Sequence, residues 1–514
     1  MFFLSSVIFL PLLGGIALLF FPRKQVTAIR WTALGVALLE LLLVIILALV
    51  YLQASVGLFS TSSLTESVPW LPALGINYSL GVDGISLLLV GLTALLTTIC
   101  IGASFRIDQR VKNYMAFMLL FECGMLGVFL SANLFLFYIF WEVMLIPAYL
   151  LLGSWGGERR IYAAFKFVIF TSVGSFLMLI GIIALGYYHQ QAAGGSCGYT
   201  LELSALLNTA SNCKGLLDGT TQTWLLLAFA AAFAVKVPLV PFHSWLPDAY
   251  SEAPAPVTAL LAGAMSKTGA YGFLRLCIPL FPQAVQNLAP LFSILAVIGI
   301  IYCAFMALVQ TDLKRLLGYS SISHLGVIML GMFAFNVQGV EGSVLQMVNH
   351  GITIAALFLI VGFMETRTGT RRLSDFGGLA SRMPWLATAM FVASLSSLGL
   401  PGLNSFAGEF LALLGAFRAN MTLGILGTLV VIPAAWYMLR FFQGMMWNPR
   451  HKEGIVAATL RKGTLSDLNF SEFWLLAPLM ALIFYIGIQP AALTWVLEPS
   501  VINTMQVLGS AFVK

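Results

Sequence analysis

The chain has 514 residues, 60% of them hydrophobic and 9% charged, with a mean hydropathy of +0.95; that is membrane composition, and it excludes a large soluble domain. Its six cysteines (Cys100, Cys123, Cys197, Cys213, Cys277 and Cys303) form no CxxC pair, which argues against a zinc or iron–sulfur site, so no metal or cofactor ligand set is expected in this chain. The net charge of +6 would suggest nucleic acid in a soluble protein; here its distribution among the loops is the informative quantity, and no nucleic-acid partner is expected.

Apolar runs of about 20 residues, enough to cross a hydrocarbon core, recur along the whole chain. Spans are predicted at 2–22, 31–52, 85–104, 114–131, 133–153, 163–187, 224–240, 256–280, 288–309, 317–335, 342–364, 386–417, 421–446 and 471–496. The expected fold is therefore an all-α polytopic membrane protein of about 14 transmembrane helices. The first run has no basic segment ahead of it and is followed by Arg23 and Lys24, so it reads as a retained span and not a cleaved signal. The odd-numbered connections hold 20 of the 26 Lys and Arg residues. By the positive-inside rule those loops face the cytoplasm and both termini face the opposite side. The connection at 188–223, with Cys197 and Cys213, then lies where a disulfide would persist, and these two residues either pair or stay free.

Taken in chain order, the ionisable residues inside spans are Glu40, Glu122, Glu142, Lys236, Lys267, Arg275, His324, His350 and Glu409. An uncompensated charge at mid-membrane costs at least ~2.5–3.5 kcal/mol, so each should face the bundle interior, pair, or meet water. Such groups are the material of proton relays. Glu40, in an outlying second span, and Arg275, near the end of the eighth, are better read as snorkelling or structural pairs. Glu122 fits a relay or a packing role equally. Glu142, among the large apolar residues of "FYIFWEVMLIPAYLL", and Lys267, among the small residues of "GAMSKTGAYG", read as functional. A lone histidine is ordinarily a satisfied core residue, but His324 and His350 stand on consecutive spans beside hydroxyl or amide residues, which favours relay roles.

Two spans are broken. Pro238 follows Lys236, and Pro401 precedes Glu409. Proline removes a backbone donor, and the freed groups are tolerated at membrane depth only against protein or a water-filled cavity. Paired interruptions are typical of inverted-repeat transporters, so a repeat of spans 4–8 and 9–13 is inferred, although no internal sequence identity is visible. "HSWLPD" also fits the H-x4-D pattern of glycerolipid acyltransferases, with His243 as base and Asp248 orienting it; a helix start at Pro247 and Asp248 explains the same residues. His243 and Asp248 are kept as secondary candidates beside Glu122.

At "FWEVMLIP", "FAVKVPLVPFHSWLPDAYSEAP", "SKTGAYGFLR", "QTDLKRLLGYSSISHLG", "NHGITIAALF" and "PGLNSFAGEF" the chain resembles the antiporter-like membrane subunits of respiratory complex I (NADH-quinone oxidoreductase), most of all the M or chain 4 type. The likeness runs in register from about residue 80 to 450. It implies two inverted five-helix units with broken helices 7 and 12: residues 1–113 as helices 1–3, 114–280 and 281–446 as the two units, and 447–514 as a cytoplasmic loop and last helix. It also implies a Glu142–Lys236 charge pair at a cytoplasmic half-channel, Lys267 as central relay, His324 and His350 as links, and Glu409 as the exit group.

What the resemblance implies functionally is proton translocation driven by electron transfer in partner subunits, which would carry NADH, FMN, iron–sulfur clusters and quinone. The implied partners are other membrane-arm subunits, especially the L and N types, with lipid around them in a bacterial plasma membrane. The alternative is a subunit of a multi-subunit Mrp-type sodium/proton antiporter, towards which "APAPVTALLAGAMSKTG" leans. Glutamate at 409, where related subunits carry lysine, and a chain end about 18 residues after the last span, without a long lateral helix, lean the other way.

Overall fold

The structure is a computed structural model and describes residues 2–55, 64–72, 75–192, 199–212, 217–447 and 465–512. Cys197 and Cys213 fall outside the described residues, and so does the expected disulfide.

The N-terminal part comprises α1 (Phe3–Leu19), α2 (Val26–Ser55), a hairpin of β1 (Thr65–Leu71) and β2 (Ile76–Gly81), and α3 (Gly84–Ala103). The hairpin was not expected in an all-α chain, and it works as a cap. Glu66 on β1 accepts hydrogen bonds from the Leu4 and Ser5 amides at 2.6 and 3.1 Å, satisfying orphan donors at the start of α1. Asp83 and Ser86 form a capping box at the start of α3. Then come α4 (Val111–Leu130), α5 (Leu134–Trp155), capped by Asn133, α6 (Arg160–Ala192), the short α7 (Leu203–Asn212) and α8 (Gly219–Lys236).

Helix α8 stops at Lys236, ahead of Pro238, and the chain re-enters helix at α9 (Trp245–Glu252). The expected eighth span is built from α10 (Ala255–Leu260), α11 (Ser266–Gly272) and α12 (Ile278–Leu280), joined by π-helical segments Leu261–Met265 and Phe273–Cys277. The second half holds α13 (Pro282–Val309), α14 (Leu313–Met332), α15 (Val337–Thr368), α16 (Pro384–Ser397), α17 (Asn404–Ala419), α18 (Met421–Thr428) and α19 (Val431–Met446). The break between α16 and α17 falls at Pro401, as its sequence predicts.

Among the described residues, nine helices are long and apolar enough to cross a membrane by length and composition; the remaining expected spans fall on shorter, broken or more polar helices. Burial orders them. The most apolar window of Val337–Thr368 is 100% buried and that of Val26–Gln53 only 28%, so α15 is the central post and α2 a peripheral one. The expected simple tail is corrected: α20 (Phe470–Ile488) ends before Pro490, and a further helix, α21 (Ala491–Phe512), packs on α3 and α15. Contact with α3 is close enough that a Cβ on Gly84 would lie 2.0 Å from the Val496 carbonyl oxygen, which only glycine permits.

Candidate proton-relay site

Asn133 caps α5, which packs on α6 and, through Phe137 and Trp141, on Phe233 of α8. Glu142 on α5 accepts a hydrogen bond from the Ser175 hydroxyl on α6. Lys236, the last residue of α8, is buried, and its Nζ lies 5.0 Å from the Trp141 ring centroid and 5.7 Å from that of Phe167. Among the described residues Nζ has no hydrogen-bond partner. The expected Glu142–Lys236 charge pair is thus within Coulombic range but not joined: the serine hydroxyl occupies the carboxylate, and the ammonium rests on the negative faces of two aromatic rings, an arrangement worth ~2 kcal/mol or more when desolvated.

Gly269 brings the next lysine's segment against this one. A Cβ there would stand 2.8 Å from Val237 Cγ2 and 3.0 Å from both Lys236 Cβ and the Phe233 carbonyl oxygen; without it, α11 closes directly on the end of α8. Two residues earlier, Lys267 is fully buried. Its Nζ donates to the Ala262 carbonyl at 2.5 Å, a carbonyl in the π-helical segment Leu261–Met265. π-bulges expose backbone carbonyls in this way and recur at functional sites. The same Nζ lies 3.3 Å from Ser266 Oγ and 2.8 Å from His350 Nδ1 on α15.

From His350 the polar line continues. Its ring centroid is 5.6 Å from that of His324 on α14, and His324 Nδ1 is 2.6 Å from Glu409 Oε1 on α17. The other His324 nitrogen faces Tyr437 Oη at 3.4 Å and Ser397 Oγ at 3.5 Å. Glu409 also accepts from Gln346 Nε2 at 2.8 Å. The break beside Glu409 is braced by polar side chains: Asn349 Nδ2 donates to the Asn404 carbonyl at 2.7 Å, Asn404 Nδ2 returns a bond to the Asn349 carbonyl at 3.1 Å, and Ser396 Oγ donates to Asn404 Oδ1 at 2.6 Å. These bonds tie the first residue of α17 to α15 and α16 across the break. Gly399, at φ +73°, takes the left-handed conformation in the same break, and a Cβ on it would meet Glu409 Oε2 at 3.0 Å.

The structure therefore brings Lys267, His350, His324 and Glu409 into one line, with Lys236 and Glu142 packed at its start. Ser175, Gln346, Tyr437, Asn349 and Asn404 were missed because only ionisable residues were searched; polar side chains inside otherwise apolar spans would have exposed them. Glu122 is buried and outside the line. Glu40 is corrected: it does not snorkel and has no partner among the described residues, but is fully buried, because the inner stripe of α2 runs Ile29, Ala33, Ala37, Glu40, Val44 and Leu47, the 3–4 residue spacing of one helix face. Arg275 pairs with Asp83 at 2.9 Å.

The acyltransferase arrangement is not formed. Asp248 binds Lys166 at 2.7 Å and Arg315 at 3.1 Å, while His243 packs on Tyr302, with its Nδ1 buried and without a partner among the described residues. Asp248 instead ties α9 to α6 and α14. At the same end of the bundle Lys314 pairs with Glu365 at 2.7 Å and Arg371 with Asp312 at 3.1 Å. Lys314, Glu365 and Arg371 line, with Arg106 and Glu252, a cavity of about 280 Å³.

Residues 131–432 match the family model described as NADH:quinone oxidoreductase/Mrp antiporter, TM. The chain is 38% identical over 509 residues to the NADH-quinone oxidoreductase subunit M of Rhodobacter capsulatus, covering 98% of this chain and 96% of that one. Among solved structures, it is similar to a chain of respiratory complex I from Thermus thermophilus with bound NADH, at 31% identity and a TM-score of 0.86, covering 98% of this chain and 99% of that one. A chain of the Mrp complex from Dietzia sp. DQ12-45-1b has a TM-score of 0.81 at 22% identity, covering 99% and 100%, a likeness of fold alone. With more than half its length matched by the model and a near full-length relative at 38% identity, the chain belongs to the NADH:quinone oxidoreductase/Mrp antiporter transmembrane family.

Proposed function

We propose that this chain is a proton-translocating membrane-arm subunit of an NADH-quinone oxidoreductase, and that protons cross it along Lys236, Lys267, His350, His324 and Glu409. The observation that carries the reading is the buried polar line itself: the Lys267–His350 contact of 2.8 Å and the His324–Glu409 contact of 2.6 Å, joined by two imidazoles 5.6 Å apart. Imidazole takes a proton at one nitrogen and releases one at the other, which suits it to link a lysine to a carboxylate. Water bridges the steps too long for direct hydrogen bonds.

In this account Glu142 is the switch. It now bonds Ser175, and Lys236 rests on Trp141 and Phe167; moving the carboxylate to the ammonium, or away from it, changes the charge felt by the next site. Residues 114–280 and 281–446 act as two inverted units, a reading supported by one broken helix in each beside a charged residue, Lys236 or Glu409. The basic loops face the cytoplasm of a bacterial plasma membrane, both termini face the other side, and the proton runs from the Lys236 end to the Glu409 end. Electron transfer takes place in partner subunits carrying NADH, FMN, iron–sulfur clusters and quinone, with L- and N-type subunits alongside.

Purification in mild detergent with identification of co-purifying chains tests the assignment. Recovery with NADH-oxidising and quinone-reducing subunits is expected. Recovery with small antiporter subunits alone would overturn it in favour of the Mrp-type reading, whose fold this chain shares.

A further inference from the structure

The π-helical turn that serves Lys267 is held from outside its own span. In an α-helix the Ala262 carbonyl would go to the Ser266 amide, four residues on. Here that amide reaches back to the Leu261 carbonyl. The Ala262 carbonyl is thereby released, and it accepts from Lys267 Nζ at 2.5 Å and from Ser266 Oγ at 2.9 Å. A donor on another helix marks this register. Tyr250 Oη on α9 donates to the Leu261 carbonyl at 3.1 Å, the same carbonyl that takes the displaced amide.

Helix α9 is short but fixed at both ends. Trp245 Nε1 donates to the Val235 carbonyl at 2.9 Å, in the last turn of α8 beside Lys236. Asp248 holds α9 to Lys166 of α6 and Arg315 of α14. Beyond α9, Thr258 Oγ1 on α10 lies 3.1 Å from the Tyr250 carbonyl and 3.2 Å from that of Ala253, closing the link between the two helices. The Tyr250 ring stands edge-on to Phe358 of α15, with 5.7 Å between centroids. Tyr250, Thr258 and Lys267 are all fully buried, so water does not compete for these bonds.

We propose that Tyr250 is a positioning residue for Lys267: its hydroxyl holds the turn in the π register and so keeps the Ala262 carbonyl available to the ammonium. A carbonyl oxygen has two lone pairs, so Leu261 accepts the Ser266 amide and the phenol together. Without the phenol, the Ser266 amide returns to Ala262 in the α register and competes with Lys267 for that oxygen. Tyr250 acts through the backbone and carries no proton itself. The inference rests on the relay reading of Lys267, and adds to it the group that sets the lysine's backbone partner.

Proton-to-electron ratios of the reconstituted complex test it, with Lys267→Leu measured alongside. Tyr250→Phe keeps the ring and loses only the hydroxyl; it is expected to assemble and to lower the ratio part of the way towards that of Lys267→Leu. Replacing Tyr250 by 4-aminophenylalanine puts an N–H donor at the same place on the ring without a phenol, and is expected to recover the wild-type ratio. A wild-type ratio in Tyr250→Phe, beside a lowered one in Lys267→Leu, would overturn this proposal alone; wild-type ratios in both would overturn the relay reading and the proposal with it. A loss in Tyr250→Phe that the amine does not recover would also overturn it, because the phenol would then act by its own chemistry. Should Tyr250→Phe fail to assemble, the amine form decides: it is expected to assemble and pump at the wild-type ratio, and failure in either would overturn the proposal.

Discussion

Replacing His350 is the most informative perturbation of the relay, because the imidazole has two separable jobs. It offers Nδ1 to Lys267 at 2.8 Å and faces His324 across 5.6 Å. His350→Ala removes both, leaving Lys267 with the Ala262 carbonyl and Ser266. A hydrogen bond to a charged group is worth ~1.5–3 kcal/mol, which is about a 10- to 150-fold loss in the population of the connected state. His350→Gln keeps an acceptor for Lys267 but cannot take a proton at one atom and release it at another. In proteoliposomes carrying the assembled complex, with vesicle acidification and NADH oxidation followed together, both variants are expected to lower proton translocation through this subunit, with the glutamine form nearer to wild type in stability. A glutamine variant that assembles and pumps at the wild-type proton-to-electron ratio would refute the argument, because hydrogen bonding and not titration would then be the residue's role.

Gly269→Val places carbon against Lys236 Cβ and Val237; overpacking of this kind costs ~1–3 kcal/mol, and a lowered melting temperature together with impaired pumping is expected. Glu472 binds Arg367 in a buried pair and Arg106 at 2.7 Å, and closes the capping box of α20. Glu472→Ala leaves the Arg367 charge buried and unpaired, a change worth ~3–5 kcal/mol, which thermal unfolding of the complex would register. Asp218, outside the spans, caps α8; hydrogen bonds from the Thr221 side chain and amide hold its carboxyl below the usual range. A lowered folded-state value contributes stability above the ordinary aspartate range, near ~3.9, that is lost as pH falls through the folded value. Protection factors of the amides in the first turn of α8, which take out the pH dependence of intrinsic exchange, should therefore fall on acidification in wild type, and Asp218→Asn should flatten that dependence.

Much of the fold was legible because lipid enforces simple rules. Span length and helix-breaking proline located the interruptions at Pro238 and Pro401 to within a few residues. The π-helical segments on either side of Lys267 were not legible, because no residue type marks them. The hairpin at Thr65–Gly81 was hidden because its strands are short and its task is to cap α1 and not to build a sheet.

At the site, the six relay residues were nominated by the cost of charge in hydrocarbon, and their roles by resemblance to a family. The contacts were a different matter. Ser175 in place of Lys236 as the partner of Glu142, and Gln346 as a second donor to Glu409, depend on side-chain packing between helices distant in sequence. Glu40 was misjudged because the second span looked peripheral, and a peripheral helix still turns one face inward. The small residues Ala33 and Ala37 at helical spacing from it were the overlooked sign of an inward face.

The central claim is that protons cross through Lys267, the one group joined to both the π-helical carbonyl at Ala262 and the histidine link. The direct measurement is the proton-to-electron ratio of the reconstituted complex with Lys267→Leu, an apolar side chain that leaves no proton carrier at that position. A ratio clearly below wild type, in a complex that still assembles, is the predicted result. A wild-type ratio in that variant would contradict the account.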